Sequence, residues 1–463
     1  MSAAATAPPT RFELVRPAGR AKGSFVCPMP AGLPRRPAPG VPWPKDLLAV
    51  VYRMADLSVG KRLARLRDIR DLTQEQLADR AGVSVDTIRR LEQGTQRGAR
   101  IATYQKLAGA LDIELARLLG QPTMTRSLAP DGGVIALRAA IQAPSDLPGL
   151  DVCGADSDAP GPDDLRPVME QAQRHYRRGQ FTDLVGMLPG LVTDLKAATR
   201  EAEGGPDHDT VWSMSAAAHI IVADVAAQLG QTDLAYTAVE RAMHATARAG
   251  DELRHALAVS TLSLVLLRQG RWSDAQQVAT RRAAEIEPRL SDRDPEKFAM
   301  FGILLLSGAV SAARANRDES DSTKDDALTF LRQAEAAAAL SGAVRVRGTA
   351  FGPASVGMQA TTVQVSLGHP DKALATASGV NLDELPWKIS RARHRLDLAF
   401  ARYQTHDDEG ARDVLLTLDE EHPEWLTHQM LAASTVGGLL ETERRRDRDL
   451  RKLAVRLGVD PAA

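Results

Sequence analysis

The sequence contains, at residues 72–94, the stretch LTQEQLADRAGVSVDTIRRLEQG, in which two short helical patterns flank a turn. Thr73 can accept a hydrogen bond from the first turn of a helix, and Gln76 can reach back to it. Gly82 stands where that helix must leave through a positive φ, which glycine adopts without strain. The pattern therefore predicts a helix that starts at Thr73, a tight turn, and a second helix.

The second helix has an inward and an outward face. Ser84 can cap its amino terminus, and Ile88 and Leu91 continue an apolar face toward a core. The side chains left outside are Val85, Asp86, Arg89 and Arg90. Two helices at this spacing can place the exposed face of the second in the major groove of DNA. The sequence therefore predicts double-stranded DNA as the partner.

This stretch resembles the phage-repressor and Cro type of helix-turn-helix, the XRE family, and the resemblance extends over residues 59–120. It implies a five-helix domain whose second and third helices form the motif, with the third entering the major groove. It also implies an ion pair between Arg67 and Glu92 that ties the first helix to the third. We expect this pair to be structural.

The expected DNA contacts lie on the motif and on the loop after it. They are Gln74, Ser84, Val85, Asp86, Thr87, Arg89, Arg90, Arg97 and Arg100. The resemblance implies that Gln74 holds a phosphate and that Val85, Asp86 and Arg90 face base edges. Arg90 can offer its forked guanidinium to a guanine, and Asp86 can accept from a cytosine amine. Two alternatives stay open: Arg89 or Arg90 contacts only solvent or phosphate, and Asp86 caps its own helix.

The charge is unevenly distributed along the chain. Residues 1–53 carry 8 Lys and Arg against 2 Asp and Glu, residues 54–120 carry 12 against 9, and the rest carry 38 against 48. Because an acidic surface repels phosphate, we expect DNA contact only within the first 120 residues. Residues 1–53 hold ten prolines and are predicted to be disordered. The alternatives for this segment are a basic arm that contacts phosphate and a translation start at Met54.

Several classes of protein are disfavoured by the sequence. The two cysteines, Cys27 and Cys153, form neither a disulfide framework nor a zinc spacing. No apolar run approaches the ~18 residues of a membrane span, so we expect a soluble cytoplasmic protein without a membrane partner. The chain lacks a phosphate loop, a nucleophile elbow and a His-Glu-His spacing. We therefore expect no enzyme, no metal and no cofactor.

Residues 121–164 are predicted to be a linker. Residues 165–463 are predicted to form a helical body in which glycines recur at the ends of helices. In four places a glycine stands five residues before a small or apolar residue: Gly179 and Leu184, Gly230 and Ala235, Gly270 and Ala275, Gly368 and Ala373. The glycine can end one helix, and the second residue lets the next helix pack closely. The body resembles tetratricopeptide (TPR) arrays, most clearly at residues 246–279. The predicted fold is all-α: a five-helix repressor-like domain at residues 54–120, followed by a TPR-like α-solenoid with a concave inner face.

Two segments of the body suggest a ligand pocket. The segment RGTAFGPASVG at residues 347–357 breaks the helical pattern and can start a helix whose free end binds an anion. The segment RARHRLDLAFARY at residues 391–403 can form a carboxylate clamp. The candidate pocket residues are Phe351, Arg391, His394 and Arg395. The alternatives are a turn between repeats and a solvated helix face.

The whole architecture resembles the single-component regulators of Gram-positive bacteria, some of which bind short signal peptides in the TPR concavity. The alanine, arginine and leucine bias is typical of a high-GC actinobacterial genome. We expect a homodimeric, sequence-specific regulator of transcription that reads a palindromic operator with helix 84–93 and senses a peptide or small ligand. The alternative is a protein-binding adaptor or antitoxin whose helix-turn-helix only regulates its own gene.

Overall fold

The computed structural model describes residues 59–70, 72–95, 99, 101–111, 113, 118, 132–143, 159–289, 291–315, 321–442 and 447–459. The predicted disordered segment at residues 1–53, the candidate start at Met54, and Arg97 and Arg100 all lie outside these residues. So does most of the expected fifth helix of the repressor-like domain.

The first four helices are α1 (Val59–Ile69), α2 (Gln74–Ala81), α3 (Val85–Glu92) and α4 (Ile101–Ala110). The predicted capping box at the start of α2 is confirmed. Thr73 Oγ1 accepts from the Gln76 backbone nitrogen at 3.1 Å, and Gln76 Oε1 accepts from the Thr73 nitrogen at 2.9 Å. The predicted turn is also confirmed, since Gly82 ends α2 with a φ of 57°. Leu63, Leu77, Ile88 and Leu107 lie at the centre of one small core.

The remaining helices form the body. They are α5 (Gly132–Ile141), α6 (Pro162–Arg178), α7 (Phe181–Glu201), α8 (His208–Gln228), α9 (Thr232–Ala249), α10 (Glu252–Arg268), α11 (Trp272–Glu285), α12 (Pro295–Ala315), α13 (Asp321–Ser341), α14 (Pro353–Ser366), α15 (Pro370–Ser378), α16 (Lys388–Gln404), α17 (Asp408–Glu421), α18 (Pro423–Thr427), α19 (Met430–Thr442) and α20 (Arg448–Arg456). From α6 to α17 the helices pack as consecutive pairs. The predicted helical class is therefore correct.

The predicted glycines at the helix ends of the body are confirmed. Gly179, Gly230, Gly270 and Gly368 all have positive φ, between 72° and 76°. The residue five positions after each of them is fully buried. The left-handed glycine lets the chain reverse within a few residues, and the buried residue then fits against the preceding helix.

The last helices pack against the first helices of the body. Trp425 of α18 covers the backbone at Gly179, where a β-carbon would lie 3.1 Å from the Trp425 side chain. Thr182 Oγ1 donates to Glu424 Oε1 at 2.7 Å, and the Phe181 and His428 rings are 5.9 Å apart. Repeats of a simple solenoid contact only their neighbours. In this body the two ends also share one hydrophobic cluster.

A two-stranded hairpin interrupts the helices, at a place where the sequence predicted only a break in the helical pattern. Strand β1 (Val344–Val346) pairs antiparallel with β2 (Thr349–Phe351). The two turn residues, Arg347 and Gly348, have φ of 48° and 93°. Positive φ at both positions is typical of the tight turn that matches strand twist. Phe351 is buried over Gly302 of α12, where any β-carbon would overlap its ring.

The predicted linker at residues 121–164 contains a helix that belongs to the body. Leu137 and Ile141 of α5 are buried in the same cluster as α6 and α7. Arg138 Nη1 lies 2.5 Å from Asp233 Oδ2 of α9. The short apolar segment of α5 buries Leu137 and Ile141 but leaves Ile135 exposed, which the sequence pattern alone did not decide.

Helices α8 and α12 correct the expectation that no apolar run approaches the length of a membrane span. Each is 21 residues long and apolar enough to cross a membrane by length and composition. The most apolar window of each is 72% buried inside the structure. Neighbouring helices cover both of them, as they would the core helices of a large helical body.

The close approach of α1 and α3 depends on Gly60. A β-carbon at this position would overlap the carbonyl oxygen of Leu91. We expect Gly60→Ala to lower the free energy of opening of α1 and α3 by about 1–3 kcal/mol, because backbone atoms cannot move aside as a side chain can. Hydrogen exchange of the α1 and α3 amides measures this quantity in the full chain.

Gly109→Ala is the matched control. Gly109 also lies in a helix, and nothing is within 4 Å of its would-be β-carbon. Alanine there should leave stability unchanged or raise it by up to about 1 kcal/mol, because alanine is the better helix former. Equal protection of α1 and α3 in both variants would show that the close contact contributes nothing.

Candidate nucleic-acid interface

Helix α3 is held with one face in the core and the other in solvent. Ile88 and Leu91 are buried, whereas Asp86, Arg89 and Arg90 are exposed. The predicted orientation of the helix is therefore confirmed. A short helix that presents two arginines and an aspartate on its free face has the polar groups needed to contact phosphates and base edges.

The residues at the start of α3 are more buried and more fully hydrogen-bonded than the sequence suggested. Val85 is half-buried and packs against the core of the domain, so only part of its side chain remains open to a thymine methyl. Ser84 Oγ accepts from the Thr87 nitrogen at 3.1 Å and lies 2.8 Å from Thr87 Oγ1. The Ser84 hydroxyl therefore caps α3, and the Thr87 hydroxyl bonds to that cap.

Two of the three residues predicted to face base edges, Asp86 and Arg90, pair with each other. Arg90 Nη2 lies 2.6 Å from Asp86 Oδ2, one helical turn away, and the two side chains are 61% and 55% exposed. An exposed ion pair of this kind contributes at most about 0.5 kcal/mol. DNA can therefore displace it at little cost, and the pair holds the guanidinium over the free face of α3 until then.

A buried network joins the first three helices. Glu92 of α3 accepts from Arg67 of α1 through two hydrogen bonds, Nε to Oε1 at 2.8 Å and Nη2 to Oε2 at 3.1 Å. The Arg67 and Glu92 side chains are only 14% and 7% exposed. Bonding to Glu92 raises the pKa of Arg67 above its ordinary value. The ion pair that the family resemblance implies is thus present as a bidentate contact.

Gln74 belongs to the same network, which sequence reasoning missed. Gln74 Nε2 donates to Glu92 Oε2 at 2.7 Å, and Arg67 Nη1 donates to the Leu72 carbonyl at 2.9 Å. The residue expected to hold a phosphate therefore also braces α2 against α3. The signal that could have revealed this is the position of Gln74 in the first turn of α2, beside the pair already implied.

The four residues suggested as a ligand pocket are not brought into one pocket. Phe351 and His394 are buried, and burial lowers the pKa of His394. Arg391 Nε donates to the Leu385 carbonyl at 2.8 Å, and Arg395 Nη1 lies 2.6 Å from Glu421. These side chains are used to fix neighbouring elements, which explains why a charged stripe on a helix was a poor guide to a ligand.

The structure shows a different cavity, of about 720 Å³, in the body. None of the four predicted residues lines it. Its walls come from α6, from the starts of α8 and α10, and from the hairpin turn. The arginines that line it are far apart in the chain, so no local pattern could have grouped them.

Comparison with known proteins gives a specific match for the amino-terminal domain. Residues 63–118 match the helix-turn-helix family model. No curated protein shows a significant sequence match to the chain.

Two solved structures are similar at a low level. One is the apo form of the competence regulator ComR from Streptococcus vestibularis, with a TM-score of 0.25 and 16% identity, covering 74% of this chain and 99% of that one. The other is ComR from S. thermophilus in complex with DNA and its signalling peptide ComS, with a TM-score of 0.22 and 14% identity, covering 79% and 99%. TM-scores this low do not establish a shared fold.

The family match and the geometry of α2 and α3 define the class of the protein. Residues 63–118 are a helix-turn-helix DNA-binding domain of the XRE type, joined to a helical body. The chain therefore carries a DNA-binding domain within residues 63–118.

The stability of the motif should depend on the buried pair and not on the exposed one. We expect Arg67→Met to destabilise α1–α3 by about 3–5 kcal/mol, because it leaves the Glu92 carboxylate buried with only Gln74 as a side-chain donor. Arg90→Met, which breaks the exposed pair, should change stability by no more than about 0.5 kcal/mol. Hydrogen exchange of the α1–α3 amides compares the two variants directly. Similar protection in both would disprove the structural role of the network.

Proposed function

We propose that the protein is a sequence-specific regulator of transcription that reads its operator with the exposed face of α3. This proposal rests on one observation. One side of α3 is fixed to the rest of the domain, and the opposite face is free to contact DNA bases. Buried groups of α1, α2 and α3 fix the helix, while Arg89, Arg90 and Asp86 stay exposed. Rigid placement matters because base-edge hydrogen bonds tolerate little misalignment.

Arg90 is the proposed base reader, with Asp86 as its neighbour on the same face. A guanidinium fork matches the two acceptors of guanine, and a carboxylate can accept from cytosine. The proposed phosphate contacts are Arg89, Gln74 and the capping groups at the start of α3. Val85 contributes the apolar edge that its partial burial leaves open.

We propose that two copies bind together to a palindromic operator. A single α3 spans few base pairs, whereas two copies about one helical turn of DNA apart read two half-sites. The helical body supplies the dimer contact and senses a peptide or small ligand through the cavity lined by α6, α8, α10 and the hairpin. The proposed role is cytoplasmic and non-catalytic.

The reading role of Arg90 can be tested on genomic fragments that the purified full chain retains. We expect Arg90→Ala to weaken binding to the selected operator by about 1–3 kcal/mol and to relax the preference at one G·C position, because a bidentate contact is lost. Binding isotherms at several salt concentrations, on the operator and on its single-base variants, measure both effects. Arg281→Ala is the matched control, because Arg281 is an exposed arginine paired with Glu285 on α11 of the body.

The salt dependence separates base reading from phosphate binding. Loss of a base contact leaves the slope of log K against log salt unchanged, whereas loss of one phosphate contact reduces it by about 1. Uniform weakening on all sequences with a lower slope would assign Arg90 to the DNA backbone. An effect of Arg281→Ala equal to that of Arg90→Ala would show that bulk charge, and not α3, governs binding.

The dimer proposal predicts cooperative use of two half-sites. We expect the full chain to sediment as a dimer and to bind a duplex with two half-sites at least about tenfold more tightly than a duplex with one, because the second contact is intramolecular. Analytical ultracentrifugation and titration of the two duplexes measure this. A monomer with equal affinity for both duplexes contradicts the proposal, and a stoichiometric second protein in the purified material would favour an adaptor.

A further inference from the structure

The hairpin turn forms part of the cavity wall and is held there from two sides. Arg347 Nε lies 2.9 Å from Asp251 Oδ1 at the start of α10, and Arg347 Nη1 lies 3.1 Å from Glu296 of α12. From the other side, Arg177 of α6 donates to the Gly348 carbonyl at 3.3 Å. An arginine in the left-handed region is unusual, because asparagine, aspartate or glycine is preferred there. The turn thus holds a strained arginine where its side chain faces the cavity.

The lining of the cavity carries an excess of positive charge. It includes five arginines, Arg166, Arg177, Arg254, Arg345 and Arg347, against three carboxylates, Glu170, Asp209 and Asp251. Two of the arginines already share a single carboxylate, because Asp251 accepts from both Arg254 and Arg347. Carboxylates outside the lining pair with two of the arginines, Asp163 with Arg166 and Glu296 with Arg347. The unmatched positive charge therefore lies at Arg177 and Arg345.

Of the five arginines, Arg177 and Arg345 have the positive charges that are least balanced by nearby carboxylates. Both guanidinium carbons lie over the ring of Trp387, at 4.0 Å and 5.2 Å from its centroid. Among the described residues neither has a carboxylate partner, and Arg177 donates only to Gln173 and to the Gly348 carbonyl. Burial and the nearby charge of Arg345 lower the pKa of Arg177. Two like charges are thus held together on an aromatic surface at the edge of the cavity.

Part of the wall is apolar, beside polar groups from Gln173, Thr210, Ser213 and Thr349. Met169 and Ala217 are buried beside the arginines, and Met214 is half-buried next to them. Thioether side chains adapt to ligands of irregular shape. A volume of about 720 Å³ lies within the range of cavities that enclose small organic ligands. The cavity therefore combines an anion-binding edge with an apolar floor.

We propose that this cavity binds a small anionic ligand, in which a carboxylate or phosphate group contacts Arg177 and Arg345 and an adjoining apolar segment lies against Trp387 and Met169. This inference deepens the proposed sensing role of the body and rests on it. Arginine forks match both oxyanions, and hydrogen bonds between ions are about twice as strong as neutral ones. The carboxylate can come from the end of a peptide or from a small acid.

Calorimetric titration of the full chain tests the proposal with matched probes at constant ionic strength. N-acetylphenylalanine carries the carboxylate, N-acetylphenylalanine amide has the same apolar part without it, and phenyl phosphate carries the other oxyanion. We expect at least one oxyanion probe to bind with a Kd of about 1 mM or tighter, and the amide to bind at least about tenfold more weakly. Preference for the first or third probe identifies the anionic group.

Arg345→Gln is the decisive variant, because Arg345 is exposed on β1 and its removal takes away charge without uncovering the core. It should weaken binding of the preferred probe by about tenfold or more. Arg332→Gln, an exposed arginine on α13 that bonds only within its own helix, should leave probe binding unchanged. Equal binding of probe and amide, equal binding to Arg345→Gln, or no binding of any probe overturns the proposal.

Operator binding measured in parallel separates this proposal from the proposed function. If the wild-type chain binds its operator but no probe, the ligand inference is wrong and the DNA-reading function stands. If Arg345→Gln instead weakens DNA binding without any probe and reduces the salt slope, the arginines contact DNA phosphate, and the cavity is not a ligand site.

Discussion

The buried contact of Arg67, Gln74 and Glu92 is the interaction on which the DNA-binding domain depends. It joins one side chain from each of the first three helices, in a domain whose core is made by a small set of leucines and alanines with one isoleucine and one tyrosine. A core this small leaves little margin of stability. A bidentate ion pair within it fixes direction as well as distance, whereas apolar packing alone would allow the short helices to slide.

The same contact explains how a helix of eight residues can present a defined face. Helix α3 is too short to be stable alone, so its orientation comes from what it packs against. Glu92 anchors its last turn, the Ser84 cap anchors its first, and Gly60 lets α1 approach its backbone. The free face can therefore carry exposed arginines without losing its position. The exposed face of α3 carries the groups that can contact bases, and the buried face carries the contacts that hold the helix in place.

The elements that the sequence predicted well are those decided by neighbours in the chain. The capping box at Thr73, the left-handed glycine at Gly82 and the four glycine turns of the body each depend on residues within one or two helical turns. The elements it missed depend on residues far apart. The Gln74 bond to Glu92 crosses 18 residues, and the bond of Arg177 to the Gly348 carbonyl crosses 171. The charged residues that begin at Arg391 suggested a ligand site because the sequence does not show their partners. Arg391 bonds to the Leu385 carbonyl, and Arg395 pairs with Glu421.

Because the two ends of the body pack together, its helix pairs do not respond independently of one another. In an open solenoid each helix pair responds only to its neighbours, so a local change fades along the array. Here the end helices pack on α6 and α7, and the hairpin bridges α6, α10 and α12 across the interior. Elements from the start and the middle of the body therefore meet around one cavity. A group that binds there contacts several of them at once, and any difference in its affinity for two arrangements of the body shifts the balance between them. Arg177 and Arg345 lie together over Trp387 without a carboxylate partner among the described residues, so an anion that contacted both would favour the arrangement in which they are close.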